Sequence, residues 1–136
     1  MRAFKIILAI MLIVPFSTGA ANFLAGAAVI NLSGSVPPLS LDALNNPSLN
    51  SQLRFLGAIW FSSGVLAVFF LKDIERYVTL ARVVLISIIV GGIGRVISAV
   101  QFGLPSPIFV AAMLVELIAV PVMLWWHFRL FSHTHH

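Results

Sequence analysis

Cysteine is absent from the 136 residues, which excludes disulfides, thiolate nucleophiles and cysteine-ligated iron–sulfur clusters. Charge is almost as scarce. Asp, Glu, Lys and Arg together make up 9% of the chain, where a soluble domain carries about a quarter. That shortage excludes an ordinary globular domain and a disordered tail, both of which need polar surface or net charge to stay in water. The eight cations outnumber the four acids, and the sequence pI is near 10.8. Such a balance can mark a nucleic-acid binder, but here the cations are scattered singly or in pairs and build no basic patch. No nucleic-acid partner is expected. No internal repeat is evident.

What fills the chain is apolar: 60% of residues are hydrophobic and the mean hydropathy is +1.08. A helix crosses a bilayer with about 20 apolar residues, so four crossings nearly exhaust the length. The expected spans cover about 6–30, 53–71, 77–102 and 108–126, with an outer loop at 31–52 and a tail at 127–136. Ser33-Gly34-Ser35-Val36-Pro37-Pro38 and Asn45-Asn46-Pro47-Ser48 read as turns in that loop. Leu39 to Leu44 between them reads as a short interfacial helix, and Asn50 or Ser51 as the cap of the second span. Gly103-Leu104-Pro105-Ser106-Pro107 reads as a tight reversal, with Pro107 in the first turn of the fourth span. Pro15 and Pro121 are expected to kink or widen their helices. The expected fold is therefore a single all-α domain, a four-helix transmembrane bundle.

Arg2, Lys5, Lys72, Arg76, Arg82 and Arg129 fall at one side of such a bundle and only Arg54 at the other. The excess of Lys and Arg on cytoplasmic flanks then puts both termini inside, in the cytoplasmic (inner) membrane. Tyr77, Trp125 and Trp126 would sit at that same interface. The first segment also resembles a signal peptide, with small residues Thr18 to Ala21 after an apolar core. Apolar character resumes at Phe23 to Ile30, which favours a retained span.

Charges inside a span are expensive and are usually paired or functional. Arg95 lies ten residues before Pro105 and Glu116 eleven after it. At 1.5 Å of rise per residue their depths agree to about 3 Å, so a pair across the third and fourth spans is geometrically easy. Arg54 is placed to bend inward toward the same layer, and Asn22 and Trp60 reach comparable depth. Gly91, Arg95, Ser98 and Phe102 share one helical face, as do Ala112, Glu116, Ala119 and Met123. Gly57 and Gly64 follow Arg54 on a stripe suited to close helix packing; Ser87-Gly91 and Gly94-Ser98 are further pairs of small residues at that spacing.

Three readings of this layer stand side by side. The pair fixes helix register; or Arg54, Arg95, Glu116, Asn22, Trp60 and Ser98 form a polar pocket in the outer half of the bundle that binds a lipid or small amphiphile; or Glu116 is the coupling carboxylate of a small transporter. Arginines beside a lone glutamate keep it charged, which argues against the last. In the pocket reading Arg95 and Arg54 attract an anionic headgroup, Glu116 orients Arg95, and Trp60, Phe61 and Phe102 supply apolar wall. A role as an accessory subunit, in a homo-oligomer or with a larger membrane partner protein, is the alternative from another class.

Arg54-Phe55-Leu56-Gly57-Ala58-Ile59-Trp60, Gly91-Gly92-Ile93-Gly94-Arg95-Val96-Ile97-Ser98, and Glu116 with Pro121 together resemble a bacterial family of small four-span proteins known only as a domain of unknown function. That resemblance implies an integral membrane four-helix bundle, distantly similar in architecture to the DoxX-like proteins, and implies no activity. Nothing in the chain supports an enzyme. Ser98 and Ser106 have no histidine at matching depth, and Gly91-Gly92-Ile93-Gly94 lacks the Lys-Ser/Thr of a phosphate loop. His127, His133, His135 and His136 could attract a divalent metal, but a tail without acidic partners reads as a solvated end. Neither a metal nor a cofactor is expected.

Overall fold

The computed structural model describes residues 2–131. His133, His135 and His136 lie outside the described residues. Four helical spans carry the fold. The first is α1 (Arg2–Met11) and α2 (Ile13–Ala25); α3 (Ala28–Leu32) and α4 (Leu41–Leu44) lie in the following loop. The second span is α5 (Pro47–Lys72) and the third α6 (Val78–Phe102). The fourth is α7 (Pro107–Leu114), a π turn at Val115–Ala119 and α8 (Val120–Leu130). Both described ends and the 73–77 turn share one end of the bundle, the terminal end. The 26–46 segment and the α6–α7 turn share the other, the loop end.

The prolines set the breaks in the spans. Proline has no N–H and its ring crowds the carbonyl four residues earlier. Pro15 therefore frees the Met11 carbonyl, and the first span breaks there, between α1 and α2. Pro121 does the same at Leu117, and the chain slips by one residue into the π turn, where the Val120 N–H donates to the Val115 carbonyl. Glu116 lies in that widened turn.

The span limits differ from those expected at three places. The first span stops at Ala25, because Gly26 adopts φ +58°, which breaks the helix there and which residues other than glycine rarely adopt. The second begins at Pro47, six residues before Leu53, and is capped by Asn46, whose side chain accepts from the Leu49 N–H at 3.0 Å. Asn50, expected as a cap, sits inside α5 and ties the loop together: its Oδ1 accepts from the Ala27 N–H at 3.1 Å and its Nδ2 donates to the Leu44 carbonyl at 2.6 Å. The fourth span runs on to Leu130, so His127 belongs to a helix rather than to a tail.

Burial confirms a lipid-facing exterior. Val83, Ile86, Val90, Ile93, Ile97 and Val100 of α6 are all exposed, while Ala81, Leu85 and Gly92 are its buried residues. Apolar surface on this scale is incompatible with water and ordinary in hydrocarbon. The spans pack as two pairs, α2 on α5 and α6 on α7–α8. Gly19 and Gly57 meet backbone to backbone in the first pair, so closely that a Cβ on Gly19 would stand 2.7 Å from the Phe61 nitrogen. At the terminal end the pairs are joined by Phe4, Leu8, Ile74, Met123 and Phe131, and by Leu12, Ala67, Phe70 and Ala81.

His127 is the exception in that apolar floor. It is 0% exposed and lies between the Phe4 and Phe131 rings at 5.7 and 4.8 Å. Neither ring nitrogen has a hydrogen-bond partner among the described residues. An unpartnered buried polar group costs about 1–3 kcal/mol. His127→Phe is therefore expected to stabilise the protein by about 1 kcal/mol, read as a higher thermal midpoint in detergent; a lower midpoint, with the smaller His127→Leu lowered as well, would show that the imidazole stabilises the fold.

Candidate functional site

The expected ion pair is present. Arg95 Nε donates to both carboxylate oxygens of Glu116, at 2.9 Å to Oε2 and 3.2 Å to Oε1. The Arg95 guanidinium carbon also sits 5.5 Å from the centre of the Phe109 ring, within range of a cation–π contact. The two side chains are unequally placed: Glu116 is 13% exposed and Arg95 39%. No acceptor among the described residues reaches Nη1 or Nη2 of Arg95. One nitrogen holds the carboxylate and the other edge of the guanidinium is left to donate elsewhere.

Gly92 makes this pairing possible. A Cβ there would stand 2.9 Å from Glu116 Cβ, so the α6 backbone lies directly against the π turn. The face of α6 that meets the π turn therefore runs through Gly92 and Arg95, whereas Ala81, further toward the termini, packs on Leu12, Ala67 and Phe70. The expected face through Gly91, Ser98 and Phe102 is corrected here: all three are exposed, Phe102 at 84%. Gly91 and Gly94 have nothing within 4 Å of a notional Cβ. Adjacent glycines fit either of two neighbouring stripes, and only the contact with Glu116 decides between them.

Between the two helix pairs lies a cavity of about 340 Å³. Its floor is Phe4, Leu8, Leu12, Phe70 and Ala81 at the terminal end, and it extends along Val84, Leu85 and Ile88 of α6 to Glu116 and Trp60. The lining is overwhelmingly apolar; its polar members are Ser17, Thr18, Trp60, Ser63 and Glu116. The α6 face that lines it continues through Gly92 toward Arg95; Arg95 does not itself line the cavity and meets it through Glu116, which does. The space reaches further toward the termini than the expected outer-half pocket.

The other expected site residues separate into two groups. Trp60 stays with the cavity, its Nε1 donating to Thr18 Oγ1 at 2.8 Å. Asn22 donates to the Thr18 carbonyl at 2.9 Å and does not line the cavity. Arg54 does not join the charge layer. Its Nη1 donates to the carbonyls of Phe23 and Leu24, each at 2.7 Å, where the last turn of α2 leaves acceptors free. Phe61 packs edge-on against Phe16 with ring centres 5.1 Å apart, which makes it part of the α2–α5 seam. The sequence reading missed Thr18 and the run Val84, Leu85, Ile88, whose only signal was their spacing.

The architecture defines a four-span integral membrane protein with the Arg95–Glu116 pair beside an apolar interior. Its sequence matches the family described as a domain of unknown function (DUF4345) over residues 3–127, and the chain belongs to that family. No curated protein and no solved structure matches it.

Proposed function

We propose that this protein binds a membrane amphiphile, its apolar part in the cavity and its anionic group on the free edge of Arg95. The observation that carries this reading is the division of labour within one guanidinium. Nε is committed to Glu116, which lines the apolar space, while Nη1 and Nη2 meet no acceptor among the described residues. Donors in a bilayer seek acceptors, and a phosphate or carboxylate takes two parallel N–H bonds from such an edge. Glu116 then acts as a positioning residue that fixes the plane of the guanidinium, and Trp60 closes the wall. The proposed setting is a bacterial inner membrane with both termini in the cytoplasm, supported by Arg2, Lys5, Lys72, Arg76, Arg82 and Arg129 at the terminal end.

The test is native mass spectrometry of gently extracted protein, wild type beside the Arg95→Ala, Glu116→Ala double variant. A defined small mass that stays with the wild type and leaves with the double variant is the expected result. A bare wild type, or the same lipids on both, returns the pair to a structural role. Arg95→Lys sharpens the test, because one ammonium cannot hold Glu116 and present a planar two-donor edge. It is expected to keep the fold and to weaken retention of that mass by about tenfold or more.

A second reading has its own observation. Gly91 and Gly94 are exposed on α6 with open space where a Cβ would stand, which suits close approach of another transmembrane helix. An accessory-subunit role predicts that Gly91→Leu with Gly94→Leu dissolves a complex or homo-oligomer seen on native gels and leaves ligand retention unchanged.

A further inference from the structure

The cavity is lined by residues of every degree of burial, but the exposed ones are not spread around it. They are Val14, Ser17 and Thr18 of α2, Ile108 and Ala111 of α7, and Val115 in the π turn. The lining residues from α1, α5, α6 and α8 are buried or half-buried. The cavity therefore opens sideways, through a window between the first and fourth spans. The window is closed at both ends. At the terminal end Phe4 packs edge-on against Trp126, ring centres 5.5 Å apart. At the loop end the hydroxyls of Ser33 and Ser106 lie 3.1 Å apart, joining the end of α3 to the start of α7.

Its chemistry is that of hydrocarbon. No charged side chain is among those six residues, and both hydroxyls are occupied. Ser17 donates to the Ile13 carbonyl at 2.7 Å; Thr18 donates to the Val14 carbonyl at 2.6 Å and accepts from Trp60. Thr18 lies seven residues from the end of α2, and Ile108 to Val115 lie within eight of the start of α7. At 1.5 Å per residue these lie within about 12 Å of the loop end, and Val14, eleven residues from the end of α2, at about 16 Å, so the window runs from the apolar core of the loop-side leaflet to about the midplane.

We infer that the window is a lateral entrance for one alkyl chain of a lipid in the loop-side leaflet. This rests on the binding role proposed above and specifies its ligand: a chain-bearing amphiphile with a phosphate or carboxylate head, reaching the site from the bilayer. A hydrated anion cannot cross a dry, uncharged opening without losing its shell, whereas an alkyl chain passes from one hydrocarbon environment to another. The volume lies at the low end of the roughly 300–1,000 Å³ of small-molecule sites, which suits one chain.

The experiment uses the full chain in phosphatidylcholine vesicles and lysophosphatidic acid carrying a pyrene at its chain end as probe. Energy transfer from tryptophan to pyrene reports loading and release. Val14→Phe with Ala111→Phe fills the window at two exposed positions, where the fold tolerates bulk. Because Val14 and Ala111 also line the cavity, the readout is the rates. Loading and release are both expected to slow by about tenfold, the signature of an altered path. Faster release with weaker binding would show that the rings occupy binding space and would overturn the window. Inorganic phosphate at millimolar concentration is expected not to displace the probe. Saturable binding with unchanged rates in the double variant overturns the window and leaves the binding role intact, as does displacement by phosphate alone. The absence of saturable binding in the wild type overturns the binding role and the window with it.

Discussion

Glu116→Ala is expected to destabilise the protein by about 3 kcal/mol, and the double change Arg95→Ala, Glu116→Ala by clearly less. Removing one partner of a buried ion pair costs about 3–5 kcal/mol because the other charge is left without compensation. The lower end applies because Arg95 is 39% exposed and, seven residues from the end of α6, its long side chain can reach toward the loop-side interface once Glu116 is gone. The single change is the worse one for a chemical reason. A guanidinium stays charged and has no acceptor function to redeploy, and what remains beside Arg95 among its described contacts is the Phe109 face. A carboxyl group stranded by Arg95→Ala can instead take up a proton and become neutral, so that variant is expected to fall between wild type and Glu116→Ala. Thermal melting in detergent across the four proteins gives the coupling directly. Equal and additive losses would mean that the 2.9 Å contact contributes nothing, and the positioning role given to Glu116 would fail with it.

How much of this was readable in the sequence depends on which physical constraint wrote it. Lipid imposes length and polarity on every span, so the four helices and the Pro107 start were legible. Depth arithmetic about the Pro105 turn was enough to foresee Arg95 against Glu116. Arg54 went astray because its partner depends on where α2 ends. A span running to Ile30 leaves no carbonyls near Arg54, whereas a stop at Gly26 leaves those of Phe23 and Leu24 at 2.7 Å. The choice between Gly91 and Gly92 depends on helix rotation, which two adjacent small residues do not specify. The cavity was the least legible feature. It is made by the way two tightly packed pairs lean together at Phe4 and Phe70 and stay apart near Thr18 and Ala111, and no single residue encodes that.

Gly19→Ala is expected to cost about 3 kcal/mol or more, whereas Gly91→Ala is expected to be neutral or slightly stabilising. Both replace a glycine by alanine inside a membrane helix, and on helix propensity alone both would gain up to about 1 kcal/mol. They differ in what the new methyl meets. At Gly19 it would lie 2.7 Å from the nitrogen and 2.9 Å from the Cα of Phe61, and 3.0 Å from the Gly57 carbonyl. Those are backbone atoms of α5, fixed by their own helix, so α2 must move away as a unit. Hydrocarbon solvent gives no compensating hydrophobic force to hold the pair together once its close packing is lost, which is why overpacking should exceed the usual cost of about 1–3 kcal/mol. At Gly91 nothing lies within 4 Å. The displacement of α2 also separates Thr18 from Trp60, now 2.8 Å apart, and so shifts one wall of the cavity relative to the other. Gly19→Ala should therefore lose pyrene-lipid binding in parallel with stability, while Gly91→Ala keeps both. Unchanged melting of Gly19→Ala would show that the first and second spans are not held by this crossing. A stability loss without a binding loss would place the ligand elsewhere than between the two helix pairs.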